Sequence, residues 1–150
     1  MVKTIGIGKQ DFASVIEDNC FFVDKTSFIK EWWDSKDDVT LITRPRRFGK
    51  TLNMSMLYYF FSIKEKKNSY LFNHLNISKN IDALKHQTKY PTIFISLKDM
   101  KVPSMENQLL NFSSIIARLL DQFEDILDYD IFNDREKTLL NKYHMGIASK

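Results

Sequence analysis

The segment that most limits how this chain can fold is an apolar run, followed by a basic turn and then by a long amphipathic stretch. Residues 39–42 read V-T-L-I, and residues 43–51 read T-R-P-R-R-F-G-K-T. From residue 52 onward, apolar side chains recur every three or four positions, which predicts a helix over 52–63. This order of a strand, a glycine-lysine-threonine turn and a helix is typical of a P-loop. In a P-loop, backbone N–H groups and the helix N-terminus face a phosphate chain.

Three residues of the turn have chemistry suited to a nucleoside triphosphate. Gly49 lets the backbone approach phosphate closely, Lys50 offers a positive charge to the terminal phosphates, and the Thr51 hydroxyl can ligate Mg²⁺. The usual spacing puts a first glycine at position 44, where this sequence has Arg44, and Pro45 has no N–H to offer. We therefore predict phosphate binding by a loop of altered shape, and a solvated basic turn is the alternative.

The local charge of the turn leaves other functions open. Arg46 and Arg47 join Arg44 and Lys50 in one basic cluster, although the formal net charge of the chain is only +3. A nucleic-acid-binding module that contacts backbone phosphates through this cluster is one alternative, which the modest net charge does not favour. A non-catalytic remnant or interaction piece is the other.

Length and composition indicate the class of protein. A chain of 150 residues can bury a real core and is expected to form one domain. The single cysteine, Cys20, excludes an internal disulfide and fits a reducing compartment. No stretch approaches the roughly 20 apolar residues that a membrane span needs. We expect a soluble, cytoplasmic protein without a membrane partner, and the oligomeric state stays open.

A second apolar run completes the predicted architecture. Residues 92–97 read T-I-F-I-S-L, and such a continuous run predicts a parallel strand buried on both faces. Helices are predicted over 25–35, with Asp24 as the cap, and over 105–127. The predicted fold class is α/β, a P-loop NTPase-like parallel sheet flanked by helices. Since sheets of this type usually hold about five or six strands, we expect this sheet to be incomplete at the C-terminal end.

Several motifs spread over the chain together resemble the bacterial AAA-ATPase-like family. They are I-G-I-G at 5–8, D-F at 11–12, F-F-V-D-K-T at 21–26, R-P-R-R-F-G-K-T at 44–51 and Y-P at 90–91, which leads into the run 93–98. Members of that family are P-loop ATPases, often joined to a C-terminal nuclease domain of the PD-(D/E)XK type. The resemblance covers nearly the whole chain, and it makes the arginine at position 44 a family trait.

The resemblance implies that ATP and Mg²⁺ bind at the basic turn. By this resemblance, Lys50 is the phosphate-binding and catalytic residue, and Thr51 is the metal ligand. The remainder of the implied nucleotide-binding loop consists of Arg44, Pro45, Arg46, Arg47, Phe48 and Gly49. The segment 24–26 matches a family element of open role, for which a position on the base side of the nucleotide is one option.

The acidic half of an ATPase site is missing from the sequence. The family's Walker B motif, an apolar strand ending in L-I-D-E-Y-D, has no match in residues 1–150. Asp99 follows an apolar run, but without a neighbouring acid it is more simply a solvated loop residue. We therefore expect weak or absent hydrolysis. We also expect the chain to be the N-terminal part of such a protein, whose nuclease-like domain, with any nucleic-acid partner, lies elsewhere.

Overall fold

The computed structural model describes residues 3–43, 45, 48–100, 104–125 and 132–144. The chain divides into two compact units, Met1–Phe94 and Ile95–Lys150. The α-helices of the described residues are α1 (Phe12–Glu17), α2 (Ser27–Ser35), α3 (Lys50–Phe61), α4 (Ile81–Leu84), α5 (Met105–Phe123) and α6 (Asp134–His144). Further 3₁₀ helices cover Ile63–Phe72, Asn76–Lys79 and Lys98–Met100.

The predicted parallel sheet is wrong. Across the described ranges the structure is helical, and its β pairing consists of two isolated parallel bridges, Thr4 with Cys20 and Ser62 with Tyr90. The first predicted strand, 39–43, pairs with nothing in these ranges. Most of its side chains are exposed, with Val39 86% and Leu41 82% exposed, and Ile42 is half-buried. The chain is therefore not an α/β protein over the residues that the structure describes.

The second predicted strand fails for the same physical reason. Residues 92–97 belong to no strand, and Ile93 and Leu97 are each more than half exposed instead of buried on both faces. An apolar run indicates only that a segment is suited to burial. Burial on two faces also requires neighbouring strands and covering helices, and no strand lies beside this segment within the described residues.

The helix predictions are mostly confirmed, with shifted boundaries. The helix predicted over 52–63 is α3, which begins two residues earlier, at Lys50. The helix predicted over 25–35 is α2, whose N-cap residue is Thr26 and not Asp24. The helix predicted over 105–127 is α5, which ends at Phe123, and residues 126–127 lie outside the described residues.

The core of the first unit is built from aromatic rings. Three rings are fully buried, those of Phe12 in α1, Phe60 in α3 and Phe72 in the 3₁₀ helix Ile63–Phe72. The Phe12 and Phe72 rings stack with centroids 5.0 Å apart, and the Phe60 ring meets the Phe72 ring edge-on at 5.2 Å. Such ring pairs contribute beyond the area that they bury. Ile29 and Met56 join the same cluster, which binds α2 and α3 into one body.

A buried polar contact joins α1 to the middle of α3. The Phe12 N–H donates to the Ser55 hydroxyl oxygen at 2.9 Å, and that hydroxyl donates to the Asp11 carboxylate at 3.0 Å. Burial and the nearby Asp11 carboxylate raise the pKa of Tyr59, one turn further along α3. Hydrogen bonds between buried groups fix the alignment of two helices more tightly than apolar contact alone.

The second unit consists mainly of α5 packed against α6. A reciprocal cap begins α6, since Glu136 N–H donates to the Asn133 side-chain oxygen at 3.0 Å and Asn133 N–H donates to the Glu136 carboxylate at 2.9 Å. Among the described side chains of α5, only Ser113 and Phe123 are buried. No helix in the described ranges combines the length and the apolar character that crossing a membrane requires.

Candidate functional site

The N-terminus of α3 begins at a glycine in a left-handed conformation. Gly49 has φ 74° and ψ 22° and is the N-cap residue, so the cap position provides no side-chain hydrogen bond to the helix. The first amides of a helix have no acceptor inside it, and the helix dipole adds partial positive charge there. A Cβ at position 49 has open space around it, so the positive φ is the reason for glycine at this position. This helix mouth is a suitable place for an anion.

A cavity of about 350 Å³ lies beside this helix mouth. One wall comes from the start of α3 and the residue before it, through Phe48, Gly49, Leu52 and Asn53. The opposite wall comes from the segment 20–25 and from neighbouring residues of the N-terminal region. These remaining lining residues are Gly6, Lys9, Val15, Cys20, Phe21, Phe22, Val23 and Lys25. The volume falls in the range of small-molecule sites, roughly 300–1,000 Å³.

The structure brings part of the predicted loop to this cavity. Phe48 and Gly49 line it, whereas Lys50, half-buried at the start of α3, and the exposed Thr51 do not belong to its lining. Pro45 is exposed. The predicted loop residues Arg44, Arg46 and Arg47 lie outside the described residues. The predicted site is therefore described from Phe48 onward, as a helix mouth with a cavity at its side.

Two lysines line the cavity, and they differ in their contacts. The Lys9 ammonium donates to the Ser14 carbonyl oxygen at 3.0 Å and forms an ion pair with Asp18. Lys25 is exposed, and in the part of the chain that the structure describes its ammonium makes no hydrogen bond or ion pair. Lys25 is therefore the lining lysine whose charge is available to an anionic ligand.

The residues on either side of Lys25 hold the wall of the cavity in place. The Asp24 carboxylate accepts hydrogen bonds from Thr26 N–H at 2.9 Å, from the Thr26 hydroxyl at 2.7 Å and from Asn76 N–H at 2.7 Å. The fully buried Thr26 hydroxyl oxygen accepts from Ile77 N–H at 3.1 Å. These contacts assign Asp24 and Thr26 a structural role and leave Lys25 facing the cavity.

The hydrogen bonds also set the charge state of Asp24. Partial burial alone would raise the pKa of this carboxyl group. The hydrogen bonds that it accepts from Thr26 and Asn76 outweigh that effect, and its pKa lies below the ordinary value of 3.8. Asp24 therefore stays ionised at neutral pH, and its contacts with both segments persist.

A second concavity in the same unit has different chemistry. It measures about 240 Å³ and is lined by mostly apolar and aromatic side chains, Trp33 and Tyr58 among them, without a charged side chain. A triphosphate needs positive charge and N–H donors. The α3 mouth provides both, whereas the lining of this second concavity has no charged side chain. The cavity beside α3 is therefore the better candidate for a nucleotide.

Metal binding at the helix mouth rests on one side chain. Within the described residues there is no group of three or more His, Cys, Asp or Glu that could hold a metal ion. Mg²⁺ bound with a nucleotide takes most of its oxygen ligands from phosphates and water, and one or two from the protein. The exposed hydroxyl of Thr51, in the first turn of α3, fits that limited requirement.

Part of the cavity lining was not predicted from the sequence. Phe21, Lys25 and Asn53 line the cavity. The segment 24–26, with Lys25, had a position on the base side of the nucleotide as one option, and Phe21 and Asn53 had no assigned role. A signal was present for Phe21 and Lys25, because they belong to the F-F-V-D-K-T motif. Asn53 had no such signal, since it lies on a helix whose apolar pattern alone was interpreted.

The comparisons with known proteins give one match. A family model named AAA-ATPase_like and described as "Predicted AAA-ATPase" matches residues 6–148. This range contains the helix mouth, the cavity and every predicted site residue. No curated protein and no solved structure matches the chain.

Proposed function

The chain belongs to the AAA-ATPase-like family, and from this premise we propose that it binds Mg-ATP at the N-terminus of α3. The observation that carries the proposal is the position of the glycine-lysine-threonine turn. It starts a helix with no side-chain cap, next to a cavity of about 350 Å³. The helix mouth can hold the phosphate tail of a nucleotide, and the cavity can hold the rest of the molecule.

We assign the phosphate tail to residues 49–51. The left-handed Gly49 opens the helix mouth to the phosphates, and Lys50 contributes charge at the terminal phosphates. Arg44, Arg46 and Arg47 are proposed to add positive charge on the basis of the sequence. Thr51 would hold Mg²⁺ together with phosphate oxygens and water, and the ion would neutralise charge on the phosphates.

We propose that the chain binds the nucleotide and that its turnover is weak or absent. Hydrolysis needs carboxylates that hold the metal through water and orient the attacking water. The family's acidic motif is absent from residues 1–150, and Asp99 has no neighbouring acid in the sequence. We further propose a cytoplasmic location, and contact with nucleic acid only through a nuclease-like domain outside this chain.

A thermal-shift titration with Mg-ATP tests the proposal. A ligand present at 100 times its Kd stabilises the folded state by about 2.7 kcal/mol, which corresponds to a rise of several degrees in Tm. Lys50→Ala should abolish most of this rise because the terminal phosphates lose their charge partner. Lys67→Ala removes an exposed lysine on the 3₁₀ helix and should leave the rise unchanged.

Two outcomes would contradict the proposal. The first is an intact chain whose Tm does not respond to millimolar Mg-ATP. The second is an equal loss of response in Lys50→Ala and Lys67→Ala, which would indicate general charge attraction instead of a site. Phosphate release measured on the same samples tests the weak-turnover part separately, and rapid release would overturn that part alone.

A further inference from the structure

The cavity lies at the side of the helix mouth and not at its centre. Its α3 wall is formed by Gly49, Leu52 and Asn53, while Lys50 and Thr51 are absent from the lining. A triphosphate held by residues 49–51 therefore leaves the cavity to the nucleoside. This arrangement separates two tasks, with charge recognition at the helix mouth and recognition of an uncharged group in the cavity.

Two aromatic rings line this cavity while remaining open to solvent. Phe21 is 61% exposed and Phe48 is 59% exposed, and both belong to the cavity lining. Other phenylalanines of the first unit, such as Phe12 and Phe60, are fully buried. Exposing large apolar rings is unfavourable unless a ligand or partner covers them. A flat, aromatic ligand group would remove this exposed area from water.

Besides Cys20, three polar side chains line the cavity, those of Lys9, Lys25 and Asn53. Asn53 carries an amide that both donates and accepts hydrogen bonds, and Lys25 supplies the available charge. Stacking on aromatic rings accepts every base, because every base has a π-face. Asn53 is the one amide side chain in the lining that can contact the edge of a base. The cavity is therefore suited to nucleobases in general more than to one particular base.

Resting on the proposed function, we infer that the cavity receives the nucleobase, which stacks on Phe21 and Phe48 with the Asn53 amide at its edge. Lys25 lies in the wall next to the ribose and the first phosphate. The site then accepts nucleoside triphosphates with little preference among bases. Phe21, Phe48 and Asn53 act in binding and not in the chemistry of phosphate transfer.

Comparing ATP with inorganic tripolyphosphate tests this inference, because tripolyphosphate has the phosphates and lacks the base. The Kd of each is measured by calorimetry for the intact chain and for Phe21→Ala and Phe48→Ala. Each substitution should raise the Kd for ATP roughly tenfold, as removal of a stacking ring does. It should leave the Kd for tripolyphosphate unchanged. Phe112→Ala, at a half-exposed ring of α5, is the matched control and should change neither ligand's Kd.

The single cysteine gives a second readout of the same cavity. Cys20 is buried in the lining and is the chain's one thiol. A base in the cavity should slow the reaction of Cys20 with a maleimide severalfold. Tripolyphosphate, at a concentration that raises Tm equally, should slow it much less. Equal protection by both ligands would indicate stabilisation of the fold without occupation of the cavity.

The outcomes separate this inference from the proposed function. If the intact chain binds neither ATP nor tripolyphosphate, the proposed function fails and the inference fails with it. If both ligands bind, and Phe21→Ala and Phe48→Ala change the two Kd values equally or not at all, only the inference is overturned. If Phe21→Ala weakens the binding of a single-stranded oligonucleotide and leaves the Kd for ATP unchanged, the rings bind nucleic acid. That result also overturns the inference. GTP binding within a fewfold of ATP supports it.

Discussion

The two compact units of the chain bury their apolar side chains to very different extents. In the first unit, rings from α1, α3 and the 3₁₀ helix Ile63–Phe72 form a cluster without access to solvent. In the second unit, α5 packs against α6, but apolar side chains such as Leu109, Phe112 and Leu139 remain about half exposed. The first unit has a buried core with the candidate site at its edge, and the second is a helix pair with half-exposed apolar side chains.

This difference indicates where the stability of the described chain comes from. Burial of apolar area is the main favourable term in folding, at roughly 25 cal/mol per Å². The first unit gains it from fully buried rings, and it also contains buried hydrogen bonds such as that of Thr26 to Ile77. The second unit depends more on helix propensity and capping, which contribute less per residue. Substitutions of the same chemical type should therefore have unequal effects in the two units.

The largest expected effect comes from emptying the aromatic core. Phe60→Ala removes a fully buried ring and should lower the free energy of unfolding by about 3–5 kcal/mol. Phe112→Ala removes a ring of α5 that is 44% exposed and should lower it by about 1 kcal/mol or less. Urea denaturation followed by far-UV circular dichroism measures both. Equal losses would remove the contrast between the units.

A smaller effect is expected from a pair of threonines. Thr26→Val leaves the buried Ile77 N–H without its acceptor and removes one donor from the partly buried Asp24 carboxylate, and it should lower the free energy of unfolding by about 2 kcal/mol. Thr138→Val in α6 removes only an exposed bond to the Asp134 carbonyl oxygen and should change it by about 0.5 kcal/mol or less. The same denaturation measurement applies. A larger loss at position 138 would reverse the comparison.

The smallest effect concerns pH and the first unit alone. The pKa of Asp24 is lowered on folding, so the folded state binds its proton less readily than the unfolded chain. The stability contributed by Asp24 is therefore present above its ordinary pKa of 3.8 and is lost as the pH falls through the lower, folded value. Asp24→Asn should reduce the drop in urea midpoint between pH 5 and pH 3. An unchanged drop would show that other groups cause the acid sensitivity.

Much of the helical structure follows from sequence, because a helix is determined by local spacing. The three- and four-residue periodicity of residues 52–63 is a local signal, and α3 begins and ends within two residues of the predicted positions. The sheet could not be predicted in the same way. Runs such as 39–42 and 92–97 carry strand propensity, but pairing depends on which other segments lie beside them.

The candidate site likewise combines local features, which a sequence can predict, with non-local features, which it cannot. The glycine at the α3 N-terminus is a local signal, and its backbone is left-handed in the structure. The cavity is not local, because its walls come from segments more than twenty residues apart, such as 20–25 and 48–53. No spacing rule brings Phe21 to Asn53. The structural role of Asp24 likewise depends on Asn76, which is 52 positions away.

The Ser55 contact has a consequence for any ligand at the helix mouth. Ser55 lies about one and two-thirds turns beyond Gly49 and is hydrogen-bonded to both Asp11 and Phe12. Because these bonds hold α3 against sliding along its axis, we expect the mouth to be in position before a ligand arrives. A preorganised receptor loses little entropy on association, so we expect Ser55, which is not part of the cavity lining, to contribute to the affinity proposed for the helix mouth.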